Sequence, residues 1–387
     1  MNPALPEHIR RSHAARFGCA PERMSYAPGR AEILGNHTDY NGGLTLSTAI
    51  DRGIWVAVSR GLPDRLRLQA LDLGAEAESA WPVPGPLAQP GWANYLLGVA
   101  HGLPPEASGP QGYDISFAGD IPRGAGLSSS AALEVATALA LLAMNHAELP
   151  LPEIARLCQR AENEFAGAQC GLLDQLSVLY GRADALVAID FQDLRVSHAP
   201  LPAACIFLLA DTGVRHDLVE CDYNDRRAQC EAAARFFAGA LARPVGTLRE
   251  VTMAEWQACR PRMDPVMARR ARHVIAENAR VREALCCLEL GDLERFGALM
   301  FESHASSRDD FENSCPELDF LVERARLLPG VIGARLSGGG FGGSVVIMTA
   351  PDAAENAAAR LAAAYAERFA ASGRIRSLKA ADGARLI

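Results

Sequence analysis

Long apolar runs are missing from this sequence. No uncharged stretch reaches the roughly 20 residues that a membrane-spanning helix needs. Met1 to Gly18 is polar, with arginines and histidines where a signal peptide would carry an apolar segment. Excess positive charge is missing too: 38 Lys and Arg stand against 46 Asp and Glu, a net charge of −8. A nucleic-acid-binding surface neutralises phosphates with basic side chains, so this balance argues against one. An acidic chain can still hold a small anion on backbone amides and one or two basic groups. Ten cysteines occur, but none forms a Cys-x-x-Cys pair and none sits near histidines at zinc-like spacing. They read as reduced thiols packed inside a cytoplasmic protein. Pro and Gly are not gathered into a tract that would mark a disordered linker.

What is there is an ordinary soluble composition, 49% apolar and 22% charged, over 387 residues. That length suggests about two domains of roughly 150 residues each. Strand patterns appear at 44–48, 54–58, 65–70, 113–117, 185–189 and 205–210, and again at 333–336 and 344–348 around a glycine loop. Helical patterns fill 92–102, 131–145, 222–240, 266–290, 316–326 and 353–371. Leu151 to Gly167 reads as one amphipathic helix, with Ile154, Leu157, Cys158, Ala161 and Phe165 on one stripe and Pro152 in its first turn. Strands and helices are intermixed, so the fold class is α+β with two lobes, 1–195 and 196–387.

Three segments carry chemistry. The first is Asp120-Ile121-Pro122-Arg123-Gly124-Ala125-Gly126-Leu127-Ser128-Ser129-Ser130-Ala131-Ala132, between a strand pattern and a helix former. Glycines allow close backbone approach, a helix start offers free N–H groups, and a serine hydroxyl suits Mg²⁺. It is not a Walker loop, because no Lys follows the last glycine. The segment reads as a phosphate cradle or as a plain helix cap with a flexible turn. The second runs from Pro28 to Gly43 and includes Asn36, His37, Asp39 and Asn41. These groups both donate and accept, as sugar hydroxyls do. A polar hairpin loop is the alternative. The third is the pair Glu162, at the edge of an apolar stripe, and Asp174, among leucines. Buried acids need a partner or a job. One could hold Mg²⁺ while the other takes a proton, or Glu162 could be a solvated helix edge and Asp174 a helix cap or a buried ion pair.

In this order, these segments resemble the GHMP kinases, and galactokinases in particular. The 28–43 stretch is similar to the galactokinase signature around Gly-Arg…His-Thr-Asp-Tyr-Asn. The 122–132 loop resembles the second GHMP motif, and Arg335 to Gly343 the third. Gly91 to Tyr95, Ala161 to Gln175, Tyr223 to Glu231, Arg270 to His273 and Ser303 to Leu318 extend the likeness across roughly 24–350. The resemblance implies an ATP-dependent sugar 1-kinase that uses Mg²⁺ and makes α-D-galactose 1-phosphate from D-galactose. It implies Asp174 as catalytic base with Arg30 as its partner. It places the nucleotide on Gly124, Gly126, Ser128, Ser129 and Ser130, with Trp92 near the adenine. The metal falls to Ser130 and Glu162, and the sugar to Asn36, His37, Asp39, Gly171 and Tyr223. The implied partners are the sugar and ATP, with no nucleic acid and no membrane, and a monomer is expected.

One departure stands out. Most galactokinases carry Glu where this chain has Asn36, and that Glu contacts the C6 hydroxyl. Asn still holds a hydroxyl but would tolerate a carboxylate at C6. Galacturonate is therefore an alternative substrate, and L-arabinose a weaker one. A non-catalytic sugar sensor on the same fold would be expected to lose the base or the metal ligands, and both are present here. Mevalonate or homoserine kinases would share the glycine loop without the 28–43 signature or the Tyr223 stretch. A Rossmann dehydrogenase is excluded because the serine-rich loop does not follow G-x-G-x-x-G.

Overall fold

The computed structural model describes residues 4–122, 124–214, 219–369 and 374–387. Its elements run α1 Leu5–Phe17, β1 Arg23–Leu34, β2 Leu44–Arg60, β3 Arg65–Ala70, β4 Ala75–Ala80, α2 Ala93–Gly102, β5 Tyr113–Gly119, α3 Ser129–Met144, α4 Leu151–Ala161, α5 Leu173–Leu179, β6 Ala185–Asp190, β7 Arg195–Pro200 and β8 Ile206–Asp211. The second half follows with α6 Val219–Ala240, α7 Met253–Cys259, α8 Pro265–Leu290, α9 Leu293–Ser306, α10 Pro316–Arg326, β9 Val331–Ser337, β10 Ser344–Thr349, α11 Ala354–Phe369, β11 Arg374–Leu378 and β12 Arg385–Leu386. The mixed α+β, two-lobed architecture expected from the sequence is found.

Alternation decides which face of the first sheet each strand residue covers. In β2, Trp55 and Ala57 face the cluster built on Ile9 of α1, while Val56 and Val58 enter the main core with α2, α3, α4 and α5. The strand order is β12-β1-β2-β5-β3-β4, with β6 and β7 added along the first part of β2. All pairs are antiparallel except β3 with β5. The second sheet is β11-β8-β10-β9, also antiparallel, with α9, α10 and α11 packed against it.

Several boundaries differ from the sequence reading. The strands expected at 44–48 and 54–58 are one strand, which pairs with β6 at Leu44–Ser47 and with β5 at Ile54–Arg60. A strand that changes partner midway needs no turn at the change. β7 pairs along β6, so the first sheet extends past residue 195. The tail also returns to it: β12 pairs with β1, and Ala380 bridges to Ile50. The helix expected to end at 371 is observed over Ala354–Phe369, and residues 370 and 371 lie outside the described residues. The helix expected over 151–167 is α-helical only to Ala161. Residues Glu162–Ala166 form a π-turn that closes on left-handed Gly167, φ 89°. The widened turn re-aims Glu162 inward, as π-bulges commonly do at functional sites. Among the described residues no helix is long and apolar enough to cross a membrane.

Candidate active site

Two glycine-rich loops meet in front of α3. In the first, Ser128 adopts a left-handed conformation, φ 54°, and α3 starts at the next residue with its first amides free. The second joins β9 to β10. The Ser344 hydroxyl donates to the Ala125 carbonyl at 2.7 Å and ties the loops together. Between them lies a cavity of about 1070 Å³ lined by Gly124, Gly126, Ser128, Ser129, Ser130 and the 337–343 loop. Arg123, in the first loop, lies outside the described residues.

A second cavity, of about 810 Å³, opens beside it, lined by Glu32, Asn36, His37, Asp39, Gly171, Tyr223 and their neighbours. Arg30, Asp174 and Gly339 line both cavities. The two cavities therefore meet at these three residues.

Asp174 sits in the first turn of α5 and is locked from two sides. Arg30, buried on β1, donates to Oδ1 from Nε at 2.8 Å and makes an ion-pair contact with the same oxygen through Nη2 at 2.6 Å. Its Nη1 donates to the Gly126 carbonyl at 2.6 Å. One planar guanidinium thus joins the acid to the glycine loop, which a lysine could not do in the same geometry. The Ser128 hydroxyl donates to Oδ2 at 2.5 Å. A carboxylate offers about four lone-pair sites, so Asp174 can still accept a further proton donor.

Glu162 faces the same region. Its carboxylate accepts from Gln175 Nε2 at 2.8 Å and from the Cys170 thiol at 3.4 Å. Burial lifts it from an ordinary 4.5 to about 7, the charge of Asp174 adds to the rise, and hydrogen bonding from Ser130, Cys170 and Gln175 opposes it. Ser130 and Glu162 are hard oxygen donors of the kind Mg²⁺ prefers. No cluster of three or more His, Cys, Asp or Glu suited to a metal occurs among the described residues. The donor set therefore fits an ion completed by phosphates and water, and no all-protein cage is needed.

The wall of the second cavity is built around Asp39. Burial raises its pKa to about 6, with Asp174 and Glu32 adding to the rise and the amides of Tyr40 and Leu173 opposing it. Gly171 lies against it so closely that a Cβ there would fall 1.7 Å from the Asp39 carboxylate. His37 Nε2 lies 2.9 Å from the Gly339 carbonyl, which can only accept, so Nε2 carries the proton and Nδ1 accepts from Tyr40 Oη at 2.8 Å. Burial keeps His37 neutral, its pKa lowered to about 3. Its ring packs on Tyr223 at 5.0 Å and Phe311 at 4.5 Å. Both ring nitrogens are occupied, so His37 presents its ring edge and positions Tyr40.

Two expected residues have neighbours that the sequence did not show. Trp92 precedes α2 and packs on Phe117 at 5.6 Å; it lines neither cavity. Asn36 lines the second cavity, but protein groups take its side-chain hydrogen bonds. The sequence reading passed over Glu32, Glu134 and Gln175. Gln175 bridges Glu162 to Glu134, a fully buried carboxyl that burial raises well above its ordinary value. The signal for both acids was present, since each is flanked by apolar residues. The chain's lone lysine, Lys379, lines neither cavity, and among the described residues Arg30 is the cation that both share.

Family comparisons agree with this geometry. The galactokinase galactose-binding signature matches residues 11–60, the GHMP kinases N terminal domain 94–182, and the GHMP kinases C terminal model 281–367. The galactokinase of Roseiflexus sp. (strain RS-1) is 39% identical over 381 residues, 97% of this chain and 95% of that one. The galactokinase of Glaesserella parasuis serovar 5 (strain SH0165) is 38% identical over 378 residues, 96% of each. The crystal structure of Lactococcus lactis galactokinase complexed with galactose matches with a TM-score of 0.93 at 28% identity, over 98% of this chain and 99% of that one. The Methanococcus jannaschii mevalonate kinase, TM-score 0.62 at 18% identity over 93% of this chain and 98% of that one, shares the fold. Fold and paired cavities together define a kinase of the GHMP class. Within that class the chain belongs to the galactokinase family.

Proposed function

We propose that this chain transfers the γ-phosphoryl group of ATP to the anomeric hydroxyl of D-galactose, giving α-D-galactose 1-phosphate and ADP. The observation that carries this reading is the junction of the two cavities at Arg30 and Asp174. The glycine loops and the start of α3 take the phosphates on backbone amides and the hydroxyls of Ser129 and Ser130, while the Ser128 hydroxyl stays on Asp174. The second cavity takes the sugar, with Asp39 as a principal acceptor for its hydroxyls and Tyr223 and the His37 ring as its apolar wall.

Asp174 accepts the proton of the C1 hydroxyl. The freed oxygen forms a bond to the γ-phosphorus while the bond from that phosphorus to the β–γ bridging oxygen breaks, leaving ADP. Arg30 holds the carboxylate in place and offsets negative charge at the attacking oxygen. Because Arg30 also grips the Gly126 carbonyl, base and phosphate loop move as one unit, which is the positioning that dominates phosphoryl transfer. Ser130 and Glu162 would hold Mg²⁺, which neutralises phosphate charge when bound.

The test is ADP release with galactose, galacturonate, N-acetylgalactosamine, arabinose and glucose offered separately. Galactose is expected to lead the panel. Absence of turnover with every sugar would overturn the proposal.

A further inference from the structure

We propose that Glu32, held by Asn36, is the side chain that reads the C6 hydroxyl of the sugar. This inference rests on the galactose reading above and concerns how the same cavity selects its substrate.

Asn36 has nothing left to offer a ligand. Its amide nitrogen donates to the Gly338 carbonyl at 2.8 Å and to Glu32 Oε1 at 3.1 Å. Its amide oxygen accepts from Asn313 Nδ2 at 2.9 Å and from the Ser307 hydroxyl at 3.3 Å. Two donors and two lone pairs are all that an Asn side chain has. The residue at the position where galactokinases usually carry Glu is therefore consumed inside the protein.

The carboxylate has not left the cavity wall. Glu32, four residues earlier on β1, lines the same cavity. Its Oε1 accepts from Asn36 and from Arg335 Nη1 at 3.0 Å. Its Oε2 has only a stretched 3.4 Å contact with the same Asn36 amide, which leaves acceptor capacity on that oxygen. Arg335 is fully buried, and its Nε and Nη2 have no hydrogen-bond partner among the described residues. Among the described residues its ion pair is with Glu32, which it holds through Nη1. The Glu32 amide, anchored on the Ser337 hydroxyl at 2.9 Å, fixes the backbone beneath.

An acceptor-only carboxylate suits a primary hydroxyl, which can donate. It also repels a second carboxylate. The alternative that Asn36 would tolerate a carboxylate at C6 is thereby disfavoured, because the Glu32 carboxylate lies 3.1 Å from the Asn36 amide. Glu32 is the specificity-determining residue, and Asn36 is its positioning residue.

The test compares kcat and KM for galactose, 6-deoxygalactose and galacturonate in the wild type, in Glu32→Gln, and in the reciprocal double variant Glu32→Asn with Asn36→Glu. The wild type should prefer galactose over 6-deoxygalactose by about ten- to hundred-fold in kcat/KM, the range for losing a hydrogen bond to a charged group. Galacturonate should be poorer still. Glu32→Gln should bring galactose and 6-deoxygalactose to within roughly three-fold, chiefly through KM for galactose, because C6 lies away from the reacting oxygen. The reciprocal variant returns a carboxylate to position 36 on the same cavity wall, so it reports even if Glu32→Gln folds poorly, and it should retain the galactose preference. A wild type that uses 6-deoxygalactose or galacturonate as well as galactose would overturn the assignment of Glu32 while leaving the galactose reading intact. A wild type inactive on every sugar would instead overturn that reading.

Discussion

Replacing Glu162 with Gln should stabilise the empty protein while crippling it. In the fold the Glu162 carboxyl titrates near 7, against an ordinary 4.5, chiefly because burial disfavours its charge. That rise corresponds to about 3 kcal/mol of differential stability between the two protonation states, as an upper figure. The sign follows from the folded value lying above the unfolded one. The contribution of Glu162 is fully present below about pH 4.5 and is lost as pH rises through about 7. Gln carries no titrating proton and can still accept from Gln175 and the Cys170 thiol. The variant should therefore match the wild type near pH 5 and exceed it near pH 8 by up to about 3 kcal/mol, a few degrees in Tm. The assay is calorimetric melting of both proteins at the two pH values without nucleotide or metal. Adding Mg²⁺ and ATP at pH 8 should reverse the order, since only the wild type gains a charged metal ligand. A stability gap that does not change with pH, or a Gln variant less stable at pH 8, would refute the reasoning.

Other outcomes follow from the same geometry. Asp174→Asn should lower kcat by at least about a thousand-fold, toward the upper range for a lost general base, while ATP affinity measured by titration calorimetry changes only a few-fold. Arg30→Lys should lower kcat by about a hundred-fold, because one ammonium cannot hold both Asp174 and the Gly126 carbonyl in the fork geometry; steady-state kinetics with saturating substrates would check this. Gly171→Ala should raise KM for the sugar about ten-fold or more and leave KM for ATP nearly unchanged, since the added methyl collides with Asp39 and not with the glycine loops. Affinity of the wild type for Mg·ATP should fall as pH drops from 8 toward 6, as Glu162 takes up its proton, and Glu162→Gln should show little of that dependence.

Much of the candidate site was legible because its signals are local. Glycines and serines ahead of an alanine-rich helix announce a backbone anion cradle whatever the rest of the chain does. Asp174 among leucines announces an acid that needs a partner, and it is found half-buried against Arg30. The same rule applies to Glu32, between Ala31 and Ile33, and to Glu134, between Leu133 and Val135. Both are buried in the structure, and neither had been singled out. What could not be read was long-range partnering. The hydrogen bonds that exhaust Asn36 come largely from Ser307, Asn313 and Gly338, hundreds of residues away. A substitution that looks like a freed amide in sequence is therefore a saturated one in space. The π-turn at Glu162 was hidden because the apolar stripe of α4 continues to Phe165, and periodicity does not register one wider turn. The return of β12 to the first sheet involves two residues, too few for any pattern. Trp92 entered through family resemblance alone, and its place against Phe117 depends on packing that its neighbours in sequence do not specify.

The most direct test of the account is a crystal structure of the chain with galactose and a non-hydrolysable ATP analogue bound together. It should place the anomeric oxygen about 3 Å from an Asp174 carboxylate oxygen and in line with the γ-phosphorus, with the phosphates along Gly124 to Ser130. A sugar seated with C1 turned away from Asp174, or a nucleotide bound away from the glycine loops, would contradict it.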